Sequence, residues 1–493
     1  MKKALKIAML LGMLLVLVLA AGVVVAEKKA VPEYVGSQTC LACHADRWSS
    51  WAGSHHAAMV LPINGPSDIP GFDKATEEQK AELLKADFVV SGGRFLAKDH
   101  ATGKLEFLKY EYNHVEGYWF DYDEPGSVWQ DRCMGCHVTP APKTGTGNEP
   151  DEFGIGCEAC HGPGRDHITA KGDISKIIVN PAADVCGQCH NSGFRMADGT
   201  RWPVGYSPAN KLTELTGVTV PKAIDTTATA NRGHHKTFNE WLVSGHGPKA
   251  VADLKANDHA SGSCYACHTQ EGYSAKQHEE EFVYDATAEY VAISCVTCHR
   301  PHSLNKAVDE KTMCASCHNG SIPEGGSLKP GATPHHPMKE MFAGYGAAGD
   351  IKATKENFHK EVACQECHMA NNNHLMQVVN PGDPNLAEGS DDGCTICHKE
   401  STREARAGYL EMWHEVTSGK INALKADIAA IEAAVKGGTT MSADLKLKFD
   451  TAKTNVLFVE ADGSMGAHNF DYAAQILTAA QKDLSTVKAE VVK

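Results

Sequence analysis

One short pattern recurs nine times in this chain: two cysteines three positions apart, with a histidine directly after the second. The copies, numbered motifs 1 to 9 in chain order, are Cys40-Cys43-His44, Cys133-Cys136-His137, Cys157-Cys160-His161, Cys186-Cys189-His190, Cys264-Cys267-His268, Cys295-Cys298-His299, Cys314-Cys317-His318, Cys364-Cys367-His368 and Cys394-Cys397-His398. Together they use all 18 cysteines. Cys-x-x-Cys-His is the attachment signal for c-type haem. The two thiols add to the porphyrin vinyl groups, and the adjacent imidazole is placed to bind the iron. Disulfides or zinc ribbons would also use paired cysteines, but neither requires a histidine after every second one. The pattern predicts nine covalent haem c groups, each with its motif histidine as proximal ligand.

A haem that only passes electrons takes a second axial ligand, whereas an open position marks a place for substrate. Seventeen of the 26 histidines lie outside the motifs. Eight have contexts that suit distal ligation. His56 and His246 close two copies of Trp-x-x-Ser-x-His, which begin at Trp51 and Trp241 and read as short helices presenting a histidine. His167 follows Cys157-Glu158-Ala159-Cys160-His161-Gly162-Pro163-Gly164, and His302 ends Cys298-His299-Arg300-Pro301-His302. His359 and His374 flank motif 8, His235 precedes the second Trp-x-x-Ser-x-His copy, and His468 enters the last helix. Eight distal ligands for nine haems leave one iron open. His55, His100, His114, His278, His335, His336 and His414 are further possible ligands.

Residues 1–26 read as an export leader. Lys2, Lys3 and Lys6 precede the apolar run Ile7 to Ala26, with cleavage expected before Glu27. That run is long enough to span a bilayer, so an uncleaved anchor is the alternative, and membrane association depends on it. The expected location is exported: cell surface, extracellular or periplasmic. The formal charge is −14. This acidity disfavours nucleic acid and anionic membranes and suits basic redox partner cytochromes, cationic metals or oxide surfaces. It also simply keeps an exported protein soluble.

The elements that must position the motifs are sparse. From first cysteine to first cysteine the steps are 93, 24, 29, 78, 31, 19, 50 and 30 residues. Short steps place neighbouring haems close together, and the two long ones hold inserted structure. In the first insertion, Phe88–Ser91 and Phe95–Ala97 read as a hairpin around Gly92-Gly93, followed by an aromatic-rich stretch from Tyr110 to Trp129. After residue 400 cysteine disappears. Ile421, Leu424, Ile428, Ile431 and Val435 step by three and four, then Gly437-Gly438 ends the helix. Leu445, Phe449, Ala452, Val456 and Val459 repeat the stripe, and a third helix runs from about Asn469 to Val487. The expected fold is mainly α with extensive loops: a haem-packed core with a C-terminal helical bundle. The expected divisions are a leader at 1–26, a four-haem region at 27–230, a five-haem core at 231–399 and the bundle at 400–493. The bundle's stripes also resemble a coiled-coil seam and suit a homodimer.

In these residues the chain resembles the superfamily of pentahaem nitrite reductases, octahaem nitrite and tetrathionate reductases and hydroxylamine oxidoreductase, best from about residue 231 onward. Cys264–His268 takes the place of that family's catalytic haem, His336-Pro337 that of its active-site His-Pro, and His359 with Cys364-Gln365-Glu366-Cys367-His368-Met369 that of its His…Cys-x-x-Cys-His-Met. Gly466-Ala467-His468-Asn469 matches the entry to its terminal bundle. Cys157–Gly164 and Cys186–His190 resemble the cytochrome c-554 type. Two departures stand out. Asn319-Gly320-Ser321 replaces the family's tyrosine after the third core haem, and His268 stands where pentahaem nitrite reductases use lysine. The nine-haem count resembles a cell-surface terminal reductase of Gram-positive metal reducers. The resemblance implies an oxidoreductase or carrier that moves electrons through a haem chain to extracellular acceptors: ferric iron, metal oxides or electron shuttles. The alternative is reduction of nitrite, hydroxylamine or tetrathionate at a five-coordinate haem on His268, with His336 as proton donor.

Overall fold

A computed structural model describes residues 33–140, 152–191, 202–215, 236–303 and 310–492, apart from the single positions 115, 132, 213, 214, 301 and 387 within them. The export leader, the boundary near residue 230 and the distal candidate His235 lie outside the described residues.

Most of the chain between motifs is loop and short helix. The exception is the insertion after motif 1. Its strands β1 (Val60–Pro62), β2 (Phe88–Val90), β3 (Arg94–Lys98), β4 (Leu105–Asn113) and β5 (Tyr118–Asp121) form an antiparallel meander in that order. The hairpin expected around Gly92-Gly93 is β2–β3, with Phe88 opposite Leu96 and Val90 opposite Arg94. Alternation along β4 sends Phe107 to one buried cluster with Leu96 and Trp129, and Leu108 and Tyr112 to another with Phe95 and Leu83. The aromatic-rich stretch thus packs largely within this insertion.

Short helices frame the motifs. The first is α1 (Ala45–Ala52), and α2 (Glu77–Leu83) belongs to the insertion. Helix α3 (Thr237–Val243) lays Phe238 on Gly187 of motif 4, where an added Cβ would sit 2.6 Å from the ring, so only glycine allows the approach. Helices α4 (Pro248–Ala256) and α5 (Gln270–Gln277) flank motif 5, and α6 (Met338–Ala343) follows His336-Pro337.

The bundle consists of α7 (Arg403–Lys436), α8 (Ala443–Asp462) and α9 (Phe470–Val491). Thr402, Ser442 and Asn469 cap their N-termini through side-chain oxygens. The expected stripe of α7 is buried from Ile421 to Ile431, but Val435 lies at the frayed end, 37% exposed. The bundle core does not stop at residue 400. Ile322, Met341, Tyr345 and Ala347 belong to the same cluster as Ile431, Phe458 and Leu477. Asn455 receives the amide of Ala348 and donates back to its carbonyl, and the Tyr472 hydroxyl donates to Ile351 O at 2.6 Å. Among the described residues no helix is long and apolar enough to cross a membrane.

Candidate haem centres

The two Trp-x-x-Ser-x-His copies do the same mechanical work. Trp51 Nε1 donates to Ile155 O at 2.8 Å, two residues before the first cysteine of motif 3. Trp241 Nε1 donates to Ile293 O at 2.7 Å, two residues before the first cysteine of motif 6. Ser54 and Ser244 are both buried. Each copy therefore anchors one motif and delivers its histidine to the next: His56 faces His190 of motif 4, and His246 faces His318 of motif 7.

These are two of eight such pairs. Ring centres lie 6.3 Å apart for His44–His167, 6.1 Å for His56–His190 and 6.1 Å for His161–His302. They lie 5.9 Å apart for His246–His318, 6.0 Å for His268–His336 and 6.3 Å for His299–His374. His359–His398 and His368–His468 stand at 6.2 and 6.1 Å. The narrow range has a chemical meaning. A metal–imidazole bond of about 2.0 Å on each side, plus the reach from each nitrogen to its ring centre, spans about 6 Å. His336 stands at this spacing from two motif histidines, 6.0 Å from His268 and 6.3 Å from His318. Eight motif histidines thus face a second imidazole across a gap sized for one iron. The ninth, His137, lines a cavity of about 1910 Å³ together with His44, His56, His161, His190 and His302.

Burial favours the metal-binding form of eight of these rings, whereas His468, though buried, is raised by the Asp462 carboxylate beside it. Burial pushes His56 and His318 down to about 4 and lowers His246, His268, His302, His336, His359 and His368, leaving the neutral imidazole that a metal requires. Several rings have their Nδ1 occupied, which leaves Nε2 for iron. His161 Nδ1 bonds Ile178 O at 2.6 Å, and His167 bonds Asp173 O and His374 bonds Asn372 O, both at 2.9 Å. No disulfide joins the cysteines among the described residues. The residues present therefore fit covalent haem.

Sulfurs of different motifs also lie beside one another: Cys40 by Cys157, Cys136 by Cys189, Cys186 by Cys295, Cys267 by Cys317 and Cys314 by Cys364. Cys160 lies close enough to Cys186 and Cys189, Cys298 to Cys314, and Cys397 to Cys367, to bias their charge. The motifs form one connected series, 1–3–4–6–7–8–9, with motif 2 beside motif 4 and motif 5 beside motif 7.

Local braces fix the ends of this series. Buried Glu158 of motif 3 accepts the amides of Val35, Gly36 and Gly164, tying the segment before motif 1 to motif 3. At the other end Asp392 accepts the amides of Cys394 and Thr395 and receives the Arg406 guanidinium at 2.6 Å. Burial alone would raise its carboxyl, but Arg406 and the Cys394 amide hold it below the usual range. Arg406 also donates to His398 O, and Arg403 to Pro381 O, Leu386 O and Asp383 O.

At motif 5 His336, expected as a proton donor beside an open iron, stands 6.0 Å from His268, within the spacing of the other pairs. Its backbone is left-handed, with φ +48°. His335 remains exposed, its ring 4.0 Å from that of His336. The nitrogens of His268, His335 and His336 lie within 4.8 Å of one another. Asn319, at the place of the missing tyrosine, is used structurally: it donates to Ala315 O and accepts the Ser321 amide.

Of the eight distal candidates, seven stand in these pairs: His56, His167, His246, His302, His359, His374 and His468. The sequence named them without naming their partners. It named His336 only among the further possible ligands, and it missed the two tryptophan anchors and Asp462, whose carboxylate lies 2.6 Å from His468 Nδ1. The repeated Trp-x-x-Ser spacing carried the anchor signal; nothing in the sequence marked Asp462.

Comparison with known proteins follows the same lines. The family model "Cytochrome c552" matches residues 334–493, and "Cytochrome c554 and c-prime" matches residues 98–162. No curated protein sequence matches. Among solved structures, the outer cell wall cytochrome OcwA superposes with a TM-score of 0.78 at 29% identity, over 92% of this chain and 100% of that one. The undecahaem cytochrome from the S-layer of Carboxydothermus ferrireducens gives 0.64 at 22% identity, over 93% of this chain and 70% of that one. The chain has the fold of a multihaem c-type cytochrome, and its structural neighbours over most of its length are cytochromes of the outer cell wall and the S-layer.

Proposed function

We propose that the chain binds nine haem c groups and works as an exported electron conduit that discharges to extracellular acceptors in anaerobic respiration. Ferric iron, metal oxides and electron shuttles are the acceptors proposed. The observation that carries this reading is the set of eight imidazole pairs at one spacing. Each bound haem supplies a one-electron couple. Each pair of facing imidazoles would hold one iron from both sides, so no open position would be needed for electrons to pass. His235 is proposed as a further distal ligand. The sulfur series sets the order of neighbours, with motifs 1 and 9 at the ends. Similarity to OcwA supports a place in the cell envelope, and the net charge of −14 suits cationic or mineral acceptors.

His336 is assigned the sixth position opposite His268, in place of a proton-donor role. One observation favours a second reading. The left-handed backbone at His336 stores strain, and exposed His335 stands beside it. If His336 swings off, the iron at motif 5 becomes a site for nitrite, hydroxylamine or tetrathionate.

The exposed apolar run Tyr409, Met412 and Val416 on the first half of α7 supports a homodimer through these helices.

Stopped-flow reoxidation of the reduced holoprotein tests the proposal. Ferric chelates and quinone-like shuttles should reoxidise all the haems rapidly. Rapid turnover with nitrite or hydroxylamine alone, and none with ferric chelates, would favour the second reading.

A further inference from the structure

Asp462 closes α8 and is 2% exposed, although it is a carboxylate. It has two partners besides the chain turn. Its Oδ1 lies 2.6 Å from His468 Nδ1, and its Oδ2 accepts the Ser464 hydroxyl. Ser464 Oγ in turn accepts the His468 amide at 3.1 Å, so the carboxylate, the hydroxyl and the ring form one closed unit. The left-handed Gly463 cap (φ +73°) folds the chain back to make it. His161, His167 and His374 turn Nδ1 to backbone carbonyls and His246 to the Met376 sulfur, whereas His468 faces a carboxylate.

A buried carboxylate that takes the Nδ1 proton of an axial imidazole pushes electron density toward Nε2 and makes it a stronger donor to iron. A stronger donor favours the oxidised metal. We propose that Asp462 is a positioning residue that holds the His368–His468 centre at a lower reduction potential than its bis-imidazole pair alone would set. This rests on the reading that these two histidines are an axial pair. Motif 8 stands between motifs 7 and 9 in the sulfur series, Cys314 beside Cys364 on one side and Cys397 approaching Cys367 on the other. The low-potential centre therefore lies on the route itself: an electron must climb at motif 8 before reaching motif 9. Asn357 adds rigidity here. It donates to His468 O at 2.8 Å and accepts the His359 amide at 3.0 Å, bracing the distal ligands of motifs 8 and 9 against each other.

Spectroelectrochemical titration of the full-length holoprotein, with low-temperature electron paramagnetic resonance (EPR), tests this. In Asp462→Asn one couple, worth a single haem's share of the absorbance, should move to more positive potential while haem content and low-spin character stay as in the parent. In Ser464→Ala the carboxylate loses a competing donor and binds the ring more strongly, so the same couple should move the other way. A merely structural role would displace both variants alike. If Asp462→Asn fails to fold, Ser464→Ala decides alone: no shift, or a positive one, overturns the proposal. His468→Ala separates this inference from the axial reading. Should it create a high-spin iron while Asp462→Asn moves no couple, the axial pair stands and the role of Asp462 falls. Should it create none, both fall.

Discussion

His302, three residues after the proximal histidine of motif 6, lies 6.1 Å from His161 of motif 3 with the ring planes 9° apart. A ring from the second half of the chain thereby faces one from the first. If the proposed axial pairing holds, the two halves share an iron site and are expected to unfold together. His302→Ala should leave the number of attached haems unchanged, since attachment needs only the thiols, while one iron becomes high-spin and binds carbon monoxide. Mass spectrometry and visible spectra of the variant check both points.

Trp51 and Trp241 make the same bond to the chain ahead of motifs 3 and 6. Trp241→Phe keeps most of the apolar contact but strands the Ile293 carbonyl, which costs about 1–3 kcal/mol. Trp51→Phe should cost a similar amount through Ile155. Thermal melting of each variant measures it; a loss in one and none in the other would break the equivalence of the two copies.

The Asp392–Arg406 pair is buried, with the two side chains 0% and 10% exposed. Arg406→Gln removes one charge and leaves the other without compensation, at a cost of about 3–5 kcal/mol. The loss should be local, releasing motif 9 and the first turns of α7, because Thr417 onward packs in the separate bundle core. Limited proteolysis should cut near residues 381–402 first in the variant.

How much of this was legible in the sequence follows from what each feature depends on. The nine Cys-x-x-Cys-His motifs were plain because thioether chemistry fixes the spacing locally. The α7–α9 bundle was plain because a three-four stripe reports its own burial, although contacts such as Asn455 with Ala348 cross the boundary drawn at residue 400. The sheet was only half seen. Its Gly92-Gly93 hairpin has a local signal, but β1 and β5 pair across longer loops. Which histidines face each other was invisible, because His44 meets His167 and His161 meets His302 through tertiary packing alone. His336 was legible only as a candidate: its neighbour Pro337 marks a resemblance, whereas its position beside both His268 and His318 comes from packing.

Tyr409, Met412 and Val416 are 62%, 41% and 50% exposed, in the part of α7 that precedes the bundle core. Apolar residues spaced along one face suit a second helix. A Met412→Asp, Val416→Asp double variant should sediment as a monomer, and the parent as a dimer, with unchanged haem spectra. The same mass for both would remove the helix from the interface.

The account stands on every iron being held between two imidazoles, and low-temperature EPR of the oxidised holoprotein with nitrite titration measures this directly. The prediction is low-spin iron throughout, unchanged by nitrite. Its spectra should divide by ring geometry: rhombic signals from the near-parallel pairs His44–His167 (24°), His161–His302 (9°) and His299–His374 (23°), and strongly anisotropic ones from the near-perpendicular His246–His318 (78°) and His359–His398 (87°). A high-spin signal that nitrite converts to low-spin, and that His336→Ala leaves unaltered, would contradict it by showing an iron that the chain keeps open.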